Sequence, residues 1–256
     1  MRTVLVTGGA GEIGSAICRK FAENGYNVIA TYNSNSAKAE KLLAELNDVI
    51  PPSGLRGLHN IFHAPTTDAQ KLIDLKAFVA EKYGKVDVLV NNAGITTPVQ
   101  HDDLDGLTDE WIDKIMQTNF RGSFAMVRAM RDLLNKASDE SNESSLIVNI
   151  SSIAGIYGIG SNVAYCASKS AIDSMTRSLA RALAPKIRVV SVSPGFVEGE
   201  YTKNFDPAYL QNQMDNTPLG RFANGVDVAN VVFSLATSMT FSTGNIITVD
   251  GGRLLK

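Results

Sequence analysis

Short runs of consecutive apolar residues alternate along this chain with longer stretches in which apolar residues recur every three or four positions. The first pattern suits a strand buried on both faces, the second one face of a helix. The strand-like runs are Thr3–Thr7, Asn27–Tyr32, Leu58–Phe62 (the weakest), Val86–Asn91, Ser145–Ser151, Ile187–Ser193 and Asn245–Asp250. Helical periodicity covers Ile13–Asn24, Lys38–Asn47, Ala69–Tyr83, Trp111–Leu134, Val163–Leu183 and Val226–Ala236. Strand, helix and strand repeated in this way predict an α/β fold, a doubly wound parallel sheet of seven strands with helices on both faces. Asn47–Gly57 and Asn135–Ser145 read as surface loops, the second acidic, and no repeat, low-complexity tract or linker divides the chain. Residues 1–256 are therefore expected to form one domain.

Composition narrows the classes of function more than it names one. With 44% hydrophobic and 20% charged residues and a formal charge of −2, the chain has no general attraction for nucleic acid or an anionic membrane. No apolar run reaches the ~20 residues that cross a bilayer, and the amino-terminal MRTVLVTGG lacks the pattern of a signal peptide. Two cysteines, Cys18 and Cys166, are too few for a disulfide framework and point to a reducing, cytoplasmic setting. His59, His63 and His101 are scattered without ligand spacing, so no metal site is expected.

Three stretches carry candidate chemistry. TGGAGEIGSA (Thr7–Ala16) lies between the first strand and the first helix, where glycines let backbone amides and the helix N-terminus approach a pyrophosphate. Its position makes the fold Rossmann-type. The tip of the second strand offers Thr31, Tyr32, Asn33 and Ser34 and no carboxylate to take a ribose 2′-hydroxyl or repel a 2′-phosphate, which favours NADP(H) over NAD(H); against this, no arginine is there to clamp the phosphate. In VAYCASKSAID (Val163–Asp173), Tyr165 and Lys169 stand one helical turn apart, so phenol and ammonium share a face. On that pair alone, a packed tyrosine beside a solvated lysine would look the same.

Taken together the motifs resemble the short-chain dehydrogenase/reductase family over essentially the whole chain. TGGAGEIG resembles its TGxxxGxG turn, NNAG (Asn91–Gly94) its motif after the fourth strand, and YCASK its YxxxK. NISS (Asn149–Ser152) is similar to the strand end carrying the family's serine, and QTNFRGSF (Gln117–Phe124) to the helix carrying its asparagine. SPGFV (Ser193–Val197) matches its PG turn, and TGNIITVDGG (Thr243–Gly252) its last strand. The resemblance implies a nicotinamide cofactor and four catalytic residues. Tyr165 would be the general acid/base, Lys169 would lower its pKa and hold the nicotinamide ribose, Ser152 would hydrogen-bond the substrate oxygen, and Asn119 would hold a water beside Lys169. Cofactor contacts would fall on Gly8, Gly11, Glu12, Ile13, Gly14, Tyr32, Asn33, Ser34, Asn92, Ala93, Gly94, Tyr165, Lys169, Pro194, Gly195 and Val197. It also implies a homotetramer, or a dimer, packed through Trp111–Leu134 and Val163–Leu183; Trp111, Phe124 and Met126 read as core or interface filling.

Three positions depart from the family pattern. Glu12 replaces a motif glycine, Pro65 stands where an aspartate commonly meets the adenine with Asp68 nearby, and Glu198–Gly199 follow the PG turn in place of a threonine. Thr217–Thr237 resembles 3-oxoacyl-[acyl-carrier-protein] reductases, which implies a small-molecule or acyl-thioester carbonyl as substrate. Lys186 lies where a basic docking patch for an acidic carrier is expected, and the acidic segment Asp139, Glu140 and Glu143 opposes it. Residues 198–220 read as a substrate lid, with Tyr201, Phe205 and Tyr209 either lining the pocket or docking on the core. An NAD(H)-dependent polyol, sugar or other small-alcohol dehydrogenase, and a nucleotide-binding sensor or scaffold with little turnover, stand as the alternative readings.

Overall fold

Alternate residues of a strand point to opposite faces, and in the central strands of this chain both sets are mostly apolar, so the sheet must be covered twice. The computed structural model of the protein describes residues 1–199, 202 and 205–255. Its strands are β1 (Thr3–Val6), β2 (Asn27–Tyr32), β3 (His59–His63), β4 (Val88–Asn91), β5 (Ser145–Ile150), β6 (Ile187–Pro194) and β7 (Ile246–Val249). Its helices are α1 (Glu12–Glu23), α2 (Ser36–Asp48), α3 (Ala69–Lys82), α4 (Asp109–Met116), α5 (Gly122–Ser141), α6 (Ile153–Tyr157), α7 (Val163–Leu183), α8 (Pro207–Asp215) and α9 (Gly225–Thr237). All strand pairs are parallel, in the order β3-β2-β1-β4-β5-β6-β7. The chain runs outward through β2 and β3, then returns to the other side of β1, and a crevice opens at the carboxyl ends of β1 and β4.

Val4, Val6, Val28, Val90, Val148 and Val190 pack under α1, α2 and α9. Leu5, Ile29, Leu89, Ile147 and Val189 pack under α3, α5 and α7. Phe21 of α1 is fully buried and meets the rings of Tyr26 and Phe233 edge-on at 4.9 and 5.3 Å. No helix among the described residues is long and apolar enough to cross a membrane.

The strands and most helices lie where the periodicity places them; the exceptions have physical reasons. The single helix expected over Trp111–Leu134 is two, joined by a π-helical turn at Gln117–Arg121, a one-residue widening that leaves the apolar pattern nearly intact. The expected loop at Asn135–Ser145 is corrected as well: α5 runs on to Ser141 and stops at left-handed Asn142. Only Ala137 and Ser138 of that last stretch face inward, and its charges pair across the surface, Lys85 with Glu140 at 3.3 Å and Lys186 with Asp139 at 2.8 Å. Lys186 therefore stands neutralised by the acidic segment expected to oppose it. The five-residue α6 is too short to show a period, and α8 lies inside the expected lid. Tyr201 lies outside the described residues.

Removing the Phe21 ring by Phe21→Ala should cost about 3–5 kcal/mol in chemical denaturation. Phe241→Ala, at a fully exposed ring, should stay within about 0.5 kcal/mol of the parent.

Candidate active site

The first turn after β1 is built to bring backbone close to something else. Gly8 sits at φ +61°, a left-handed conformation, with a β-carbon at that position only 3.1 Å from Ala93 Cα. A β-carbon on Gly14 would stand 2.4 Å from the Gly8 carbonyl oxygen and 2.8 Å from Asn92 Nδ2, so the first turn of α1 rests directly on the loop. Across the crevice, Thr7 Oγ1 accepts from the backbone N–H groups of Asn92 and Ala93, both at 2.9 Å. Asn92 Nδ2 returns two bonds, to the carbonyls of Thr7 (2.9 Å) and Gly8 (3.1 Å). Asn92, expected at the cofactor, thus has both amide hydrogens spent on bracing the turn, and Thr7 is the strut for which the sequence suggested no role.

Gly11 caps α1 without a side-chain hydrogen bond. By contrast α2, α3, α4, α7, α8 and α9 are capped by Asn35, Asp68, Thr108, Asn162, Asp206 and Asn224. The N–H groups of Glu12, Ile13 and Gly14 are thereby left to an anion at the crevice, and this cradle fits a dinucleotide pyrophosphate. Glu12 is exposed at the start of the helix, where its charge complements the dipole. At the outer corner, Tyr32 packs against the His63 ring at 5.4 Å, while Asn33 and Ser34 are exposed. Asp68 serves as the α3 cap, accepting from the Lys71 N–H at 3.1 Å, which accounts for it without an adenine contact.

The second half of the site gathers on α7. Asn162, fully buried, accepts from the Tyr165 N–H at 2.7 Å and donates to the Thr97 carbonyl at 2.6 Å, which fixes Tyr165 in the first helical turn. Lys169 is 5% exposed; its Nζ donates to the Ile150 carbonyl at 2.8 Å and lies 5.5 Å from the Tyr165 ring centroid. Burial pushes the Lys169 ammonium down to about 8, with the Asp173 carboxylate pulling the other way. Ser152 caps α6, its Oγ accepting from the Ala154 N–H at 3.1 Å, so its own hydrogen is left to donate. Its neighbour Ser151 donates to the Lys169 carbonyl at 3.1 Å.

Asn119 sits in the π-helical turn, fully buried. It accepts from the Ile95 N–H at 2.8 Å and donates to the Ile95 carbonyl and to Ser168 Oγ, each at 3.0 Å. Ser168 in turn donates to the Tyr165 carbonyl at 2.8 Å. A β-carbon on Gly94 would be 3.3 Å from Asn119 Oδ1 and 3.6 Å from Lys169 Nζ, so the strand end beside the glycine turn reaches the lysine.

The far wall follows β6. Pro194 ends the strand, the Gly195 N–H donates to the Val249 carbonyl at 3.0 Å, and buried Val197 bridges to Ala223. Phe196 stacks on Phe222 at 4.5 Å and stands 6.1 Å from Phe205, which meets Tyr209 at 5.4 Å. The lid aromatics thus continue an apolar wall from the end of β6. Glu198 is exposed. A separate cleft lined by Arg2, Asp87, Glu143 and Arg188 opens at the opposite ends of the strands and contains none of the motif residues.

The chain is similar to known proteins over its full length. Residues 8–253 match a family model described as enoyl-(acyl carrier protein) reductase. The 3-oxoacyl-[acyl-carrier-protein] reductase FabG of Thermotoga maritima is 33% identical over 256 residues, covering 99% of this chain and 98% of the relative. Among solved structures, a short-chain dehydrogenase/reductase from Burkholderia xenovorans matches with a TM-score of 0.91 at 30% identity, covering 100% of this chain and 99% of that one. A Pseudomonas aeruginosa RhlG/NADP active-site complex matches with a TM-score of 0.88 at 28% identity, over 98% and 96% of the two chains. A glycine turn at the switch point, a tyrosine and a buried lysine one helical turn apart, and likeness over the full length have one common source: the chain belongs to the short-chain dehydrogenase/reductase family and is an NAD(P)-binding oxidoreductase.

Proposed function

We propose that the protein interconverts a ketone and a secondary alcohol with NADP(H), and that 3-oxoacyl thioesters are its leading substrate class. The observation that carries this reading is Tyr165 in the first turn of α7, one helical turn before an ammonium only 5% exposed. The bound nicotinamide supplies or accepts the hydride, and the chain supplies the proton and the placement. Tyr165 gives its proton to the carbonyl oxygen in reduction and recovers it in the reverse direction. A free phenol, with a pKa of about 10, does this poorly near neutrality. The Lys169 ammonium 5.5 Å from the ring and the positive end of α7 both favour the phenolate. Ser152 donates to the substrate oxygen, where negative charge develops. Lys169 gives one hydrogen to Ile150 and keeps others for the nicotinamide ribose. Asn119 is first a strut, with a lone pair of Oδ1 left for a water beside Lys169.

The pyrophosphate is held by the turn from Gly8 through Gly11 and by the first N–H groups of α1 at Glu12, Ile13 and Gly14. Ala93 and Gly94 line the crevice behind it, and Pro194, Gly195 and Val197 back the nicotinamide. NADP(H) is favoured because the tip of β2 carries Tyr32, Asn33 and Ser34, and the first charged side chain beyond it is the cation Lys38. The apolar wall of Phe196, Phe205, Tyr209 and Phe222 suits an acyl chain. Lys186, expected in a carrier-docking patch, pairs with Asp139 at 2.8 Å on the surface. We place the enzyme in the cytoplasm, in keeping with its unpaired buried cysteines Cys18 and Cys166. We also take it to be a homotetramer, in keeping with Phe124 on α5 (42% exposed) and Val163 on α7 (48% exposed).

With NADPH and a panel of 3-oxoacyl thioesters and small ketones, Tyr165→Phe should lower kcat by about 10²–10⁴-fold. Its affinity for NADPH should be unchanged. Turnover at the parent rate in that variant would overturn the proposal. Gly14→Ala should weaken NADPH binding by about tenfold or more, because the added carbon displaces the Gly8 carbonyl; equilibrium titration with the nucleotide checks it.

A further inference from the structure

A second buried ionisable group lies on α7 one turn beyond Lys169, and the reaction described above makes no use of it. Asp173 is 3% exposed. Its Oδ1 accepts from Ser191 Oγ at 2.7 Å, while Oδ2 has no hydrogen-bond partner among the described residues. The Ser151 hydroxyl is shared between the Lys169 carbonyl, at 3.1 Å, and the same carboxyl. Ser191 lies opposite Asn149 in the sheet, one residue before the Ile150 whose carbonyl holds Lys169 Nζ. Both ionisable groups of the helix face are thus anchored at adjacent points of the β5–β6 edge.

A half-satisfied buried carboxylate is costly unless it answers a charge. The other charges around it are few. Burial pushes the Asp173 carboxyl up, and Ser191, Ser151, Arg177 and Lys169 hold it down; Arg177, one turn further along α7, is exposed, and so are Tyr157 on α6 and Asp109, Glu110, Asp113, Lys114 and Arg121 on the α4 and π-turn segments that pack on α7. Arg188, at the far end of β6, is occupied by the carbonyls of Leu235, Met239 and Ser242. The facing strand residues, Asn149, Ser151, Ser191 and Ser193, are neutral. Lys169 is the buried cation on this face.

We propose that Asp173 is a positioning residue: it is the buried counter-charge that keeps Lys169 an ammonium, so that Tyr165 rather than Lys169 gives up the first proton. The proposal rests on the reading of Tyr165 and Lys169 as the proton-transfer pair. Two coupled groups share their titration, and whichever holds its proton more weakly loses it first. Burial favours release from Lys169, and the Asp173 carboxylate one turn away opposes that release. With Asp173 neutral, the ammonium would discharge first and Tyr165 would face an uncharged amine.

The test is a phenolate titration by near-ultraviolet difference absorbance, in which subtracting the Tyr165→Phe trace isolates Tyr165 among the chain's tyrosines. In the parent the band should appear at least about 1 pH unit below the free-phenol value. In Asp173→Asn, measured against Asp173→Asn/Tyr165→Phe, it should move up by about 1 unit or more. Asp173→Glu, which keeps the charge, should bring it back toward the parent. An unmoved band in a folded Asp173→Asn protein would overturn the proposal, since a merely structural role would lower the melting temperature and leave the band in place. A parent band at the free-phenol value would overturn the Tyr165–Lys169 reading itself, a separate outcome. If Asp173→Asn does not fold, Asp173→Ser serves as the neutral variant and should shift the band in the same direction; no shift there would overturn the proposal.

Discussion

An ammonium taken out of water is the constraint on which the rest of this site depends. Burying an ion costs several kcal/mol even after the protein relaxes around it, and Lys169 is buried among the sheet, α6 and α7. The surroundings answer that cost piece by piece. The Ile150 carbonyl takes one hydrogen, the Tyr165 ring lies alongside, and Asp173 shares the helix face. The same low dielectric that makes the charge expensive makes it effective on a neighbouring phenol. Burial and reactivity are here one arrangement.

The fold couples this half of the site to the nucleotide turn through short contacts. Thr7 and Asn92 tie the loop after β1 to the loop after β4. Gly94 and Ile95 carry that loop on to Asn119, and Asn119 and Ser168 carry it to the backbone of Tyr165. The glycine turn and the Tyr165–Lys169 pair, proposed as the hydride end and the proton end, are therefore set by one braced edge of the sheet. Such bracing permits positioning to contribute to catalysis, since reacting groups must be held near their reacting geometry.

Much of this was legible in the chain because the physics is local. Strands buried on both faces carry apolar residues at consecutive positions, so β1, β4 and β6 stand out, and Tyr165 and Lys169 declare themselves by their spacing on a helix. What was not legible depends on partners distant in sequence. The bonds from the Asn92 amide to the carbonyls of Thr7 and Gly8 join two loops that lie far apart in the chain. Asp173 passes as an ordinary polar position on an amphipathic helix, since nothing local says that Ser191 lies over it. The π-helical turn adds one residue to a helix whose period continues on both sides. The polar end of α5 reads as a loop because its charges find Lys85 and Lys186, which are far away in the chain.

The central claim is that the carboxyl edge of this sheet binds an NADP-type dinucleotide with its nicotinamide at Tyr165. A fluorescence titration of the protein with NADPH, and separately with NADH, tests it most directly. Both nucleotides should bind saturably, with NADPH favoured by about tenfold or more. Tighter binding of NADH would contradict the role given to Tyr32, Asn33 and Ser34, and binding of neither would contradict the account as a whole.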